Sequence, residues 1–217
     1  LIVVLIGFGL FIARSNHLFI FLSSRSERLW TIIYSSRSQY VLIIEEIIFI
    51  SIICLFLKSR NWSIKDLNLK VNIEAILTSF AIVAALIVIS GIFRLYFFKI
   101  FEDIKTVRGI TLNHVTLQNE ATWINIILIV LINSVYEEVL LLGYIFKRLK
   151  NYHPIIIIAI STILRLSFHT YQGIFIMFFI LPMGIIFGYA YYKKKNLWPL
   201  ILAHGWINLL HYVLSHL

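Results

Sequence analysis

Cysteine occurs once in these 217 residues, at Cys54. A lone cysteine closes no intramolecular disulfide and finds no second thiolate for a metal site, so a packing role remains. Charge is also scarce: 13% of the residues are charged, and only 10 are acidic against 19 lysines and arginines. No internal repeat and no low-complexity segment stands out, which argues against a solenoid or a biased linker. There is no His-Glu-x-x-His run, the helix signature of a zinc peptidase.

What the chain does have is long apolar runs. Sixty per cent of it is hydrophobic, against about 45–50% in a soluble domain. The excess is gathered into stretches approaching the roughly 20 residues that cross a bilayer core. Backbone groups find no water there, so each stretch is expected as a helix. The fold class expected is all-α: a polytopic transmembrane helical bundle of about seven spans. These are roughly 1–13 (extending as far as 22), 39–57, 73–93, 122–146, 154–169, 174–192 and 197–214. The fifth and sixth, separated by Thr170-Tyr171-Gln172-Gly173, should form an antiparallel hairpin. Residues 1–13 are expected as a span rather than a cleaved signal, for want of a basic leading region and a small-residue cleavage motif. The polar stretch 99–121 is expected as the longest loop. It divides a single membrane domain into N-terminal helices, 1–121, and a functional part, 122–217.

A formal net charge of +9 would suggest nucleic acid in a soluble protein. Here the cations sit between the apolar runs, as flanking charges do, so no nucleic-acid partner is expected and the bilayer itself is the first partner. Lys147, Arg148 and Lys150 follow the fourth span, and Lys193, Lys194 and Lys195 follow the sixth. By the positive-inside rule both loops are expected in the cytoplasm. The loop 58–72, with Lys58, Arg60, Lys65 and Lys70, agrees; the loop 14–38, with Arg14, Arg25, Arg28 and Arg37, does not. The expected location is a multi-pass integral protein of a prokaryotic inner (plasma) membrane.

An ionisable side chain within a span costs about 2.5–3.5 kcal/mol on insertion scales and marks function by default. Four places carry such residues: Glu45 and Glu46; Glu137 and Glu138; Arg165 and His169; and His204 with the polar Asn208. The pairs 165/169 and 204/208 are four residues apart, on one helix face each. A carboxylate can take a proton from water, and imidazole and amide N–H groups can stabilise an oxyanion. From spacing alone, a paired interior in a transporter or a structural bundle stands equally beside that hydrolytic set. Glu45 and Glu46 read as interior charges for Arg165 or Arg94, and His211 as helix-end packing.

The order of these groups resembles a known family. Tyr136-Glu137-Glu138-Val139-Leu140-Leu141-Leu142-Gly143-Tyr144 looks like the first motif of the CAAX-protease and bacteriocin-processing family, paired glutamates followed by Gly-aromatic. Leu164-Arg165-Leu166-Ser167-Phe168-His169 looks like the second, centred on one histidine. Leu197-Trp198-Pro199 through His204-Gly205-Trp206-Ile207-Asn208 looks like the third, His-x-x-x-Asn. The resemblance covers about residues 130–212. It implies an intramembrane glutamic endopeptidase acting on a membrane-embedded or lipid-anchored peptide or protein, with no cofactor and no metal. It implies Glu137 as the residue that activates water, His169 as its water-positioning partner, His204 and Asn208 as the oxyanion-stabilising pair, and Glu138 as the supporting glutamate.

Two positions depart from the family pattern. Leu142 stands where the family usually has an arginine, and Arg165 stands where it often has an aromatic residue. Arg165 is expected to supply the missing charge and orient the carboxylates; an inactive relative is the alternative. Other readings stay open beside the leading one. Two histidines and a glutamate could bind Zn²⁺, although Arg165 one turn from His169 would repel a dication. A transporter, a membrane scaffold or a protein conferring immunity to a peptide toxin would also carry buried charge.

Overall fold

The computed structural model of the chain describes residues 2–23, 29–59, 61–63, 67–108, 114–120, 122–173 and 176–216. Arg25, Arg28, Arg60 and Lys65, which entered the charge argument, lie outside them. The helical-bundle expectation holds. Helix α1 spans Ile2–Ser23, α2 Ser36–Lys58 and α3 Ile73–Arg108. Helix α4 (Trp123–Glu138) runs through a π-helical segment, Val139–Tyr144, into α5 (Ile145–Arg148). Helices α6 (Pro154–His169), α7 (Met177–Lys194) and α8 (Trp198–His216) complete the bundle. Among the described residues, five stretches are long and apolar enough to cross a membrane: Ile2–Phe21, Ser36–Lys58, Ile73–Phe97, Trp123–Arg148 and Pro154–Gln172.

Two stretches read as loops carry regular secondary structure. α1 continues to Ser23 and α3 to Arg108, well into the expected loops 14–38 and 99–121. Strands β1 (Leu29–Ser35) and β2 (His114–Glu120) then pair in parallel, Leu29 opposite His114 and Ser35 opposite Glu120. The pairing gives each of these linking segments a backbone partner that no local helix supplies. It ends at two capped helix starts. The Ser35 side chain accepts from Ser38 N–H at the start of α2, and the Thr122 side chain accepts from Asn125 N–H at the start of α4, each satisfying an orphan donor of a first turn.

The hairpin of α6 and α7 forms as expected, turning at Gly173 with φ 85°. Its closeness depends on Gly184 and Gly188 of α7. A Cβ at Gly184 would come within 2.6–2.9 Å of three Thr162 side-chain atoms, and one at Gly188 within 3.0 Å of Ile158. Small residues four apart let helix backbones approach where lipid offers no hydrophobic drive to association. Pro154 begins α6 at a position where its missing N–H costs nothing.

The three basic loops meet at one end of the bundle. Lys70 N–H donates to Asn196 Oδ1 at 3.1 Å, and Asn196 Nδ2 returns a bond to Lys70 O at 3.0 Å. Asn68 Nδ2 also donates to Lys195 O. The Lys147 ammonium lies 5.2 Å from the centre of the Trp62 ring. At the other end, Ser15 and Thr170 hydroxyls are 2.8 Å apart and Gln39 Nε2 donates to Tyr212 Oη at 3.2 Å.

The core gathers on the segment after Glu138. Leu140, Leu141, Leu142 and Gly143 are all buried. Ser161 of α6 donates its hydroxyl to Leu141 O at 3.0 Å. π-Segments are rare and recur at functional sites; this one begins on the residue following the paired glutamates.

Candidate active site

Glu137 and Glu138 close α4, where neighbouring residues on a helix point about 100° apart. One arginine serves both. Arg165, from α6, donates Nη1 to Glu137 Oε2 at 3.2 Å and Nη2 to both oxygens of Glu138 at 2.8 Å. All three side chains are buried, Arg165 to 1% exposure. A guanidinium so placed does not snorkel to the membrane surface. Its planar fork binds carboxylates through several N–H groups at once, and its charge offsets part of what burying two carboxylates costs.

Behind this ion pair lies His204 of α8, whose Nδ1 is 2.6 Å from Glu138 Oε1. In front of it lies a cavity of about 160 Å³. Glu137, His169 and Asn208 line that cavity together with Glu46, Asn133 and His211. The five groups expected to act in one site, with Arg165 as their supporting cation, therefore divide. Glu137, His169 and Asn208 face the shared space; Glu138, Arg165 and His204 form a buried layer that holds Glu137 from behind. The reason is angular: Glu138, one residue on from Glu137, points at Arg165 of α6 and His204 of α8 and away from the cavity.

His169 is oriented by its own helix. Its Nδ1 lies 2.8 Å from Arg165 O. A carbonyl only accepts, so Nδ1 carries the proton in that bond and the neutral ring keeps Nε2 as an acceptor. Asn208 Nδ2 donates to Asn133 Oδ1 at 3.1 Å, and Asn133 Nδ2 donates in turn to Glu137 Oε1 at 3.1 Å.

Asn133 is the residue that motif reading passed over. Its signal was available, for it is a polar group inside a span, four residues before Glu137 and on the same helix face. His211, read as helix-end packing, lines the cavity, three residues on from Asn208 and close to its face. The expectation that Glu45 and Glu46 pair with Arg165 or Arg94 is corrected. Glu45 binds Arg14 of α1 at 2.6 Å, and Glu46 accepts from Asn133 Nδ2 at 2.7 Å. Arg165 is already taken up by the two glutamates of α4, and Glu45 and Glu46 find their partners on α1 and α4 instead.

A larger apolar cavity, about 560 Å³, lies beside the first between α1 and α2. The two share Phe11, Leu42, Phe168 and Tyr171 in their walls. The larger one carries Arg14, Arg37 and Glu45 on its lining.

Residues 119–210 match a family described as type II CAAX prenyl endopeptidase Rce1-like. That segment contains all three motifs, and the match supports the resemblance to the CAAX-protease and bacteriocin-processing family. No curated protein and no solved structure matches the chain.

Proposed function

With the family match over residues 119–210 as the premise, we propose that the chain is an intramembrane endopeptidase that hydrolyses a peptide bond with water activated by Glu137. The observation that carries the reading is the shared cavity: a carboxylate and a histidine line it, and a buried guanidinium braces the carboxylate.

Each residue has a chemical part. Glu137 accepts one bond from Asn133 and one from Arg165, and a carboxylate offers about four lone-pair sites, so capacity remains to take a proton from water. His169, its Nδ1 committed to Arg165 O, presents Nε2 to the same water and orients it. Asn208 has given one amide N–H to Asn133; its other N–H is the donor for the oxyanion that forms when water attacks the carbonyl. Glu138 anchors His204 and Arg165, and Arg165 fixes both glutamates. The substrate suggested by the family description is a prenylated protein ending in a CAAX sequence. The apolar cavity beside the site suits the lipid-anchored portion of such a chain.

A dication is the one competing reading with an observation behind it. Glu137, Glu138 and His204 offer ligand atoms within 4.8 Å of one another. Those carboxylates already hold a guanidinium through three of their four oxygens, and a dication there would have to displace it. Metal analysis of the purified protein, with a chelator control on activity, separates the two chemistries.

Glu137→Gln tests the proposal. It keeps shape and the bond from Asn133 but cannot take a proton. Cleavage of a prenylated reporter peptide by membranes carrying the variant should fall by about 10²–10⁴-fold, with the protein still inserted. Undiminished cleavage by the variant would sink the mechanism.

A further inference from the structure

We propose that Glu46 of α2 is the general acid of this site, delivering the proton that the departing amine requires. The inference rests on the hydrolase reading above and adds a residue that lies outside all three motifs and outside the matched segment.

Glu46 is 2% exposed and lines the same cavity as Glu137, His169 and Asn208. Asn133 joins it to the proposed base: the one amide nitrogen donates to Glu46 Oε1 at 2.7 Å and to Glu137 Oε1 at 3.1 Å. The other oxygen, Oε2, is buried and has no hydrogen-bond partner among the described residues. Buried polar atoms are nearly always bonded, and an orphan at a cavity wall points to a group that arrives there.

Charge around the cavity gives the orphan its chemical character. Arg165 is shared by Glu137 and Glu138, and Arg14 is taken by Glu45. No salt bridge reaches Glu46 among the described residues, and the carboxylates Glu137 and Glu45 act on it with like charge. A further uncompensated negative charge in an apolar interior is costly. Glu46 therefore enters the reaction as the neutral acid, with its proton on Oε2, the one oxygen that no donor occupies. A protonated carboxyl is a donor.

Two acids in different surroundings then divide the proton transfers, a recurrent arrangement in hydrolases. Water attacks the carbonyl carbon and its proton goes to Glu137. The tetrahedral intermediate collapses, the C–N bond breaks, and the nitrogen takes the Glu46 proton. The products are a carboxylic acid and an amine. Glu137 is left with one proton gained and Glu46 with one lost, and a cavity water returns the proton from the first to the second.

Leaving-group dependence tests this. The probes are a prenylated peptide ending in Cys-a-a-X and the nitrophenyl ester of the same prenylated cysteine, whose phenolate departs without protonation. Glu46→Gln keeps the acceptor for Asn133 and loses the acid. Peptide cleavage should fall at least about 100-fold, while ester cleavage stays within a few-fold of wild type. Glu137→Gln should lose both. Peptide cleavage unaffected by Glu46→Gln overturns the inference, as does an equal loss on peptide and ester, which a merely structural role would give. If Glu46→Gln does not fold, Glu46→Met, of similar volume and without a buried polar orphan, gives the same comparison. Wild-type protein inert on both probes, or a Glu137→Gln variant as active as wild type, overturns the hydrolase reading itself and this inference with it.

Discussion

Helix α4 and the three helices before it cross the same bilayer under different constraints. Within the 18-residue stretch of highest hydropathy, 61% of the α4–α5 span is buried inside the protein, against 22% for each of α1, α2 and α3. The outer helices spend their apolar side chains on lipid: Leu55, Leu77 and Ile92 are more than half exposed. Helix α4 spends its surface on other helices, and so it can carry Asn133, Glu137 and Glu138, each with a partner on α2, α6 or α8. The difference teaches where polarity is tolerated. A charged group in hydrocarbon needs a bonded neighbour, and the inward face of α4 supplies one at each such position, while Ile124, Ile127 and Leu131 on its other face are more than half exposed. Glu46 is the exception that fits the rule, since α2 turns that one carboxyl inward to Asn133.

The sharpest way to break the contrast is to strip the central helix of its cation. Arg165→Leu leaves Glu137 and Glu138 buried without a guanidinium and should cost about 3–5 kcal/mol of stability, read as a lower thermal midpoint in detergent, with cleavage strongly reduced. Adding Leu142→Arg should recover part of the activity if the two positions supply the same field; a double variant no better than the single one refutes that equivalence. A smaller effect is expected at the α6–α7 contact. Gly184→Leu drives a side chain into Thr162 and should destabilise by about 1–3 kcal/mol, again seen in the thermal midpoint. Ser161→Ala removes the hydroxyl from Leu141 O and should cost about 1 kcal/mol; no change would mean the π-segment holds itself. At the bottom of the scale, Leu77→Ala on the lipid face of α3 should leave the midpoint within about 0.5 kcal/mol of wild type. A large loss there would mean that face is covered by protein.

Much of the fold could be read before any coordinates. Spans of near-bilayer length and the hairpin at Gly173 follow from apolar run length and the short turn between runs, whereas grouping Glu137 with His169 and Asn208 was an expectation from the family resemblance. Other features could not. Leu29-Trp30-Thr31-Ile32-Ile33-Tyr34-Ser35 has the β-branched and aromatic character of a strand, but its parallel partner lies beyond two helices, and run length says nothing of partners so remote. The extension of α3 past its apolar run was missed because hydropathy marks the part inside hydrocarbon and not the part of the helix that continues beyond it.

By itself, then, the sequence determined the environment and the chemistry at hand. Run length requires helices because lipid leaves the backbone no other bonding partner, and the three motifs bring two glutamates, an arginine, two histidines and an asparagine into those helices. Which of these groups face the cavity was decided only in the tertiary structure. Adjacent glutamates look equivalent as letters; the crossing of α6 and α8 behind α4 buries Glu138 against Arg165 and His204 and leaves Glu137 at the cavity. The approach of α2 then brings Glu46 to Asn133. That contact joins residues 87 apart, and no local periodicity encodes it, because it depends on how far two helices turn about their axes when they pack.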